Sequence, residues 1–223
     1  VDENADTFFN GILRENGQVA TRNYIGIVST VNCSATVTKM IVEKIKYSNI
    51  LNDYPNIDGI VPITHSTGCG MNTVSEGMQM FQRTIDGFKN HPNFSHVFVI
   101  GLGCECAQVS LFDESLKKHN RIHFLTIQDE GGTKKIVDKV LSQIKNLLSE
   151  ANNVQRTSQP VSHLTLALQC GGSDGYSGIT ANPALGVAAD LLVKKGGSSI
   201  LSETPEIYGA EHLLIDRADS QQT

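Results

Sequence analysis

No stretch of the 223 residues approaches the roughly 18 consecutive apolar residues that a membrane span needs. The chain also has no run of five or more Lys or Arg, and its formal net charge is -5. It therefore lacks the basic footprint that binds nucleic acid or anionic membranes. The polar start Val1-Asp2-Glu3-Asn4 does not resemble a signal peptide. We expect a cytoplasmic protein that acts on a small polar molecule.

The cysteines do not have the pattern of a disulfide scaffold or of a structural zinc site. Five cysteines in a chain of this length is an ordinary frequency, and an odd number cannot all pair internally. No Cys-X-X-Cys pair is present. Because Cys104 and Cys106 are separated by only one residue, we expect at most one of them to be a metal ligand.

Short apolar runs alternate with amphipathic helical patterns along the chain. The predicted strands are 24–31, 59–64, 96–101, 122–127, 164–168 and 198–201. The predicted helices are 35–46, 73–87, 133–148, 183–195 and 207–215. Alternation of this kind is typical of an α/β fold. We predict a mostly parallel, Rossmann-like sheet with helices on both faces.

The segment 151–160 is polar and predicts a linker or domain boundary. We therefore expect a Rossmann-like α/β domain over residues 1–150 and the first part of a second α/β domain over residues 161–223. The chain starts at Val1 and ends in a polar segment, so we expect it to be a piece of a longer protein.

Four of the cysteines follow directly after predicted strands, and three of the four loops that carry them contain glycine. They are Cys33, Cys69, Cys104 and Cys170. A single cysteine is most often a small buried hydrophobe. Ligands, however, bind outside the carboxyl ends of parallel strands, where these four loops gather. Thiolates select zinc, iron or an iron–sulfur cluster, so we predict that these four residues are metal ligands.

His65 lies in the glycine-bearing loop after the second predicted strand. An imidazole in that place could be a metal ligand or a general base, and the alternative is a histidine that fastens its own loop. Glu105, Asp129 and Glu130 lie at neighbouring strand ends. They could assist catalysis, or they could serve as helix caps.

Gly171, Gly172, Ser173 and Asp174 begin a glycine-rich loop after the fifth predicted strand. Glycines allow backbone N–H groups to approach an anion closely. The loop has neither the Gly-Lys-Ser/Thr ending of a phosphate-binding loop nor the dinucleotide fingerprint. We therefore predict that these four residues bind an anionic substrate rather than a nucleotide. A flexible linker is the alternative reading.

Six segments, taken together and in order, resemble the altronate/galactarate dehydratase family. They are GQVATRNY (17–24), TVNCS (30–34), THSTGCG (64–70), GLGCE (101–105), QCGGSD (169–174) and LSETPEIYGAE (201–211). The resemblance runs from about residue 11 to residue 218. Several long motifs in one order are far more specific than any single one.

The resemblance implies a hydro-lyase that removes water from a sugar acid and gives a 2-keto-3-deoxy acid. It also implies dependence on ferrous iron, and leaves a mononuclear centre and an iron–sulfur cluster both open. A sulfolactate sulfo-lyase subunit is similar. Family members carry a small β-rich domain before this region and more chain after it, so this chain is expected to need both for activity.

Dehydration needs a base for the proton α to the carboxylate and a Lewis acid for the leaving hydroxyl. His65 is the first candidate for the base, and Glu203 and Glu206 follow.

Two other functions remain open. Cys33 and Cys104 could form a metal-free acid and base pair of a racemase or epimerase, or the chain could bind sugar acids without turnover. The sequence leaves open the particular sugar acid and the oligomeric state, a homo-oligomer included.

Overall fold

A computed structural model describes residues 7–109, 112, 121–172 and 174–222. Its strands are β1 (Phe8–Leu13), β2 (Val19–Ala20), β3 (Tyr24–Ser29), β4 (Gly59–Ile63), β5 (Phe94–Gly101), β6 (Ile122–Thr126), β7 (Thr157–Pro160), β8 (Thr165–Leu168) and β9 (Ser198–Leu201). Its α-helices are α1 (Asn32–Ser48), α2 (Glu76–Asn90), α3 (Thr133–Asn152), α4 (Ala181–Lys194) and α5 (His212–Ile215). Short 3₁₀ helices cover Ile50–Asp53, Val161–His163 and Thr204–Ile207. Within the described ranges, no helix is both long and apolar enough to cross a membrane.

The chain divides into two compact units, which are described separately. The N-terminal unit is formed by residues 10–157. The C-terminal unit contains residues 158–222 together with residues 7–9.

The N-terminal unit is built on a four-stranded parallel sheet with the order β4-β3-β5-β6. In this register Ile25 lies between Ile60 of β4 and His96 of β5. Every residue of β5 is buried, which explains its continuous apolar run. The predicted α/β class with a parallel sheet is therefore confirmed.

Helices cover both faces of this sheet. On one face, Ile25 and Ile27 pack in a core with buried residues of α1 and α3. On the other face, Val28 packs with Met78 and Phe81 of α2. The alternation between Ile27 and Val28 follows from the two-residue period of a strand. Both faces are therefore covered by helices. A ligand site is left to the loops at the ends of the strands.

The C-terminal unit contains the parallel pair β8 and β9, in which Thr165 lies opposite Ser198. The predicted helix over 207–215 is wrong in its first half. That stretch holds the end of a 3₁₀ helix and then Gly209 at a φ of 84°, so helix α5 begins only at His212. The Rossmann-like topology, the two domain bounds and the second α/β domain stay predictions.

The segments next to the parallel sheet contain structure that the sequence did not predict. β1 pairs antiparallel with the two-residue β2, with Ile12 opposite Ala20. The predicted linker 151–160 includes the end of α3, where Ala151 is buried, and all of β7. Strands this short, or as polar as Thr157–Pro160, have no apolar alternation to reveal them.

His96 is a buried polar residue near the start of β5, and its side chain is only 8% exposed. Burial, and to a smaller extent the nearby charges of His123, Arg14 and Arg121, lowers its pKa to about 4. The pKa of His96 in the folded state lies below its pKa in the unfolded chain. The contribution of the neutral imidazole to the free energy of unfolding is therefore complete above about pH 6.5. This contribution is lost as the pH falls toward about 4.

We therefore expect the free energy of unfolding to fall with acidification less steeply in His96→Gln than in the wild type. From about pH 7.5 to about pH 5, the wild type should lose about 2 kcal/mol more than this variant. Urea unfolding at both pH values measures the difference. His163→Gln, at an exposed histidine, is the control and should keep the wild-type slope. Equal slopes for His96→Gln and the wild type would contradict the burial argument.

Candidate functional site

Three loops leave the carboxyl ends of β3, β4 and β5 side by side. We call the loops 30–34, 64–70 and 101–106 the carboxyl rim. Backbone hydrogen bonds join the first loop to the second and to the end of β5, since the Asn32 N–H donates to the Thr67 carbonyl at 2.8 Å and the Thr30 N–H donates to the Ile100 carbonyl at 3.1 Å. The Ser34 hydroxyl donates to the same Ile100 carbonyl at 2.7 Å. The rim is thus a connected surface rather than three independent loops.

The carboxylate of Glu105 is the buried centre of the rim, since this residue is only 3% exposed. Its Oε1 accepts hydrogen bonds from the Thr30 hydroxyl at 2.9 Å and from the Leu102 N–H at 3.0 Å. Its Oε2 accepts from the Gly103 N–H at 2.6 Å. Hydrogen bonds to an ionised group are about twice as strong as neutral ones. Glu105 therefore fixes the loop that carries Cys104 against the end of β3.

Gly68 holds the second loop against the first. Its φ is 98°, and a Cβ at this position would lie 2.4 Å from the Thr30 carbonyl oxygen and 2.9 Å from Val31 Cα. Only a residue without a Cβ permits this close approach of two backbones. The neighbouring Cys69 is thereby placed beside the loop that carries Cys33.

Three of the predicted ligands, Cys33, Cys69 and Cys104, lie on the carboxyl rim with free and exposed thiols. Cys33 is the second residue of α1, and its thiol lies 3.6 Å from the side-chain oxygen of Asn32. Cys106 is different, because it is partly buried and packs against the core on the α2 face. The rim therefore presents three accessible sulfur donors in the N-terminal unit.

His65 also lies on the rim, with both ring nitrogens in use. Its Nε2 lies 2.9 Å from the Ser29 carbonyl, and its Nδ1 accepts from the Thr67 N–H at 3.3 Å. Since a carbonyl can only accept, Nε2 carries the proton and Nδ1 holds the lone pair. The ring packs edge-on against Phe81 at 4.9 Å between centroids. This arrangement fastens the loop and leaves Nδ1, with its longer contact, as the basic nitrogen.

The remaining predicted residues lie in the C-terminal unit, at the carboxyl ends of β8 and β9. The Glu203 carboxylate accepts a very short hydrogen bond from the Cys170 N–H, so these two residues from distant loops meet. Glu206 is exposed and follows Glu203 in a short 3₁₀ helix. The structure thus brings Glu203 to Cys170 and leaves Glu206 at the surface.

The predicted anion loop is exposed where it is described, and Ser173 lies outside the described residues. A Cβ added at Gly171 or Gly172 would contact nothing within 4 Å. The Asp174 carboxylate accepts from the Tyr176 N–H at 3.1 Å and so orders a turn of its own loop. No described neighbour crowds the two glycines, which leaves open space beside their backbone.

Iron is the metal that the resemblance implies, and thiolates are suitable donors for it. In the ranges that the structure describes, however, no three His, Cys, Asp or Glu side chains come close enough together to hold a metal ion. The donors fit iron in kind, but their grouping does not form a complete ligand set. The four cysteines therefore stay a prediction as ligands.

The sequence did not identify the strongest interactions of the rim. The sequence singles out Glu105 only by its place at a strand end, and Gly68 only as part of a glycine-bearing loop. The spacing Gly101-Leu102-Gly103-Cys104-Glu105 is the available signal, because a carboxylate can accept from N–H groups two and three residues before it. The contact with Thr30 joins residues 75 positions apart and has no local signal.

The fold and the rim define a class of α/β proteins whose ligand site lies where parallel strands end. Residues 11–152 match the family model for the second domain of D-galactarate dehydratase/altronate hydrolase. Residues 161–223 match the C-terminal model of D-galactarate/altronate dehydratase. The chain belongs to this family.

Three relatives illustrate the similarity. The chain is 33% identical to altronate dehydratase of Bacillus subtilis over 98% of its length, and 38% identical to galactarate dehydratase (L-threo-forming) of Escherichia coli over 96%. It is 26% identical over 94% of its length to the (2R)-sulfolactate sulfo-lyase subunit beta of Chromohalobacter salexigens. It spans 43%, 42% and 50% of these relatives, in the same order.

Proposed function

We propose that this chain is part of a hydro-lyase that dehydrates a sugar acid of the altronate or galactarate type to a 2-keto-3-deoxy acid. The similarity to two sugar-acid dehydratases along almost the whole chain supports the reaction most strongly. The carboxyl rim supports the place, since it joins exposed thiols and a histidine at the ends of parallel strands. The cytoplasmic location expected from the sequence belongs to the same proposal.

In this proposal His65 takes the proton α to the substrate carboxylate. The bond from Nε2–H to the Ser29 carbonyl holds the tautomer in which Nδ1 is basic. Nδ1 must first release the Thr67 N–H, and its distance of 3.3 Å makes that bond a weak one. The electron pair of the broken C–H bond forms a C=C bond, and the β-hydroxyl leaves as water after it receives the proton that His65 has taken. The enol then tautomerises to the 2-keto acid.

Glu203 and Glu206 are the second candidates for the base. Glu203 already accepts the Cys170 N–H, so its carboxylate also fixes the backbone at that cysteine. Glu206 has an exposed carboxylate at the surface.

The anionic end of the substrate is proposed to bind at the glycine-rich loop, at Gly171, Gly172, Ser173 and Asp174. The open space beside the two glycines supports this role.

We further propose that the whole enzyme uses iron, with Cys33, Cys69, Cys104 and Cys170 as thiolate ligands. Bound iron would act as a Lewis acid for the leaving hydroxyl. Since the described residues do not form a complete set, this assignment rests on the donor type and on the loop positions. Iron content after anaerobic reconstitution is a readout that does not depend on activity.

The test is a screen of sugar acids with the whole protein, ferrous iron and a reductant, in which keto-acid formation is measured. We expect product from altronate or galactarate, and loss of product when a chelator is added. A racemase that uses Cys33 and Cys104 would keep full activity in chelator and give an epimer instead. A binding module would be stabilised thermally by a sugar acid without any product. Either result would overturn the proposal.

A further inference from the structure

A cavity lies at the opposite edge of the parallel sheet from the carboxyl rim, where the strands β5 and β6 begin. Its volume is about 780 Å³, within the usual range for sites that hold small molecules. Residues that line it include Arg14, Ser95, His96, Arg121, Glu150 and Asn153. All of them belong to the N-terminal unit. Neither the proposed dehydration nor the predicted site residues use this amino-edge cavity.

Two guanidinium groups of this cavity are held in place by backbone and amide oxygens. Arg14 donates from Nε to the Pro92 carbonyl at 2.8 Å, and from Nη2 to the Asn23 side chain at 3.0 Å and the Arg22 carbonyl at 3.4 Å. Arg121 donates to the Phe94 carbonyl at 3.1 Å and to the Asn90 carbonyl at 3.4 Å. These bonds fix the orientation of both side chains.

A purely structural role, in which the two arginines fasten the neighbouring backbone, could explain these contacts. Such a role, however, leaves several guanidinium N–H donors unused. A guanidinium carries five N–H donors. Arg14 has no hydrogen bond from Nη1 to another described residue, and Arg121 has none from Nε. Among the described residues, neither arginine has a carboxylate within salt-bridge distance.

The electrostatic environment of these arginines favours an anion. Burial, together with the charges of Arg121 and Arg156, lowers the pKa of Arg14 to about 10. Burial also lowers the pKa of Arg121. Glu15 and Glu150 line the cavity too, but Glu15 is exposed and the Glu150 side chain is 77% exposed, so water screens both charges. Two partly desolvated cations thus share one cavity, and neither forms a salt bridge with these carboxylates in the described part of the chain.

His96 also lines this cavity, and its side chain holds a buried polar atom without a partner. Its side chain is more than nine-tenths buried, and its Nδ1 has no hydrogen-bond partner in the described part of the chain. Its Nε2 lies 3.8 Å from the Glu150 carboxylate, which is too far for a hydrogen bond. Buried polar atoms without partners are rare in native proteins and call for an explanation. Nδ1 is shielded from solvent, so His96 contributes a polar wall to the cavity while the arginines supply the free donors.

We propose that the amino-edge cavity is a second binding site, for a small polar organic anion whose carboxylate or phosphate group is held by Arg14 and Arg121 beside His96. Guanidinium groups recognise both kinds of oxyanion through paired N–H donors. The cavity is larger than one inorganic anion needs, and Ser95 and Asn153 on its wall can bind hydroxyl groups. A hydroxylated acid or a sugar phosphate has this combination of groups.

Titration of the 223-residue chain, followed by amide NMR shifts, tests this proposal. The probes are gluconate, inorganic phosphate, and glucitol as the uncharged control. We expect both anions to shift the amides of Arg14, Ser95, His96 and Asn153, and glucitol to leave them unchanged. Tighter binding of gluconate would identify a carboxylate ligand, and tighter binding of phosphate a phosphate ester. Shifts confined to the carboxyl rim would overturn the second site, while leaving the proposed dehydration untouched.

Variants connect the binding to the two arginines. Arg14→Gln and Arg121→Gln should each weaken anion binding about tenfold or more, because each removes a charge-assisted contact. Arg83→Gln, on an exposed part of α2, is the matched control and should bind as the wild type does. If a Gln variant does not fold, Arg121→Lys keeps the charge but loses the paired donors, and should also weaken binding. Unchanged affinity in a folded variant of either arginine would overturn the proposal.

Discussion

Replacement of Glu105 by alanine is expected to lower the free energy of unfolding of the N-terminal unit by about 4 kcal/mol. The change removes a buried carboxylate that accepts from the Thr30 hydroxyl and from the N–H groups of Leu102 and Gly103. The hydroxyl can rotate toward another partner, but the two N–H groups are fixed by the backbone. Each buried group left without a partner costs about 1–3 kcal/mol.

Urea unfolding of Glu105→Ala measures this loss, and Glu105→Gln refines it. The glutamine side chain keeps the volume and one acceptor oxygen, so we expect an intermediate loss of about 2 kcal/mol. Glu130→Ala is the control, because that carboxylate forms a surface ion pair with Lys139 at 2.6 Å. Such pairs contribute about 0–1 kcal/mol. A loss in Glu105→Ala no larger than in the control would show that Glu105 does not hold the rim together.

Gly68→Ala is expected to cost about 3 kcal/mol or more, because backbone strain and a steric clash act together. The φ of 98° is unfavourable for any residue with a Cβ. The new Cβ would also lie 2.4 Å from the Thr30 carbonyl oxygen, which belongs to the backbone and cannot turn away. The loop that carries Cys69 must therefore move away from the loop that carries Cys33.

Gly70→Ala is the matched control for this substitution. Gly70 also has a positive φ, of 66°, but a Cβ there would contact nothing within 4 Å. We expect only the conformational cost, about 1 kcal/mol, in thermal or urea unfolding. The difference between the two variants reports the contact with Thr30 together with the less favourable φ of Gly68. Equal costs would mean that the two loops do not touch as described.

The parallel sheet could be predicted because its strands are short, apolar and separated by helical patterns. The run before Gly101 predicted β5 closely, since both faces of that strand are buried and every residue in it is shielded. The placement of Cys33, Cys69 and Cys104 after strands followed from the same pattern. β1 was not predicted, because its Asn10-Gly11 centre interrupts any apolar alternation.

The interactions that organise the site depend on contacts between distant residues, which a single sequence does not reveal. His65 illustrates the difference. Its type and loop position predicted a base, but the contacts with Ser29 and Thr67 decide which nitrogen carries the proton. The buried environment of His96 likewise arises from packing between β5 and its neighbours. Titratable groups of one type thus acquire different chemistry from their surroundings.

The most direct test of the account compares three cysteine variants of the whole enzyme after anaerobic reconstitution with ferrous iron. Iron content and keto-acid formation from altronate and galactarate are measured together. We expect Cys69→Ala and Cys104→Ala to lose bound iron and to lower turnover by about 100-fold or more. Cys106→Ala, which changes a partly buried thiol outside the proposed ligands, should retain both. Unchanged iron content and turnover in Cys69→Ala and Cys104→Ala would contradict the proposal that the carboxyl rim is the catalytic centre.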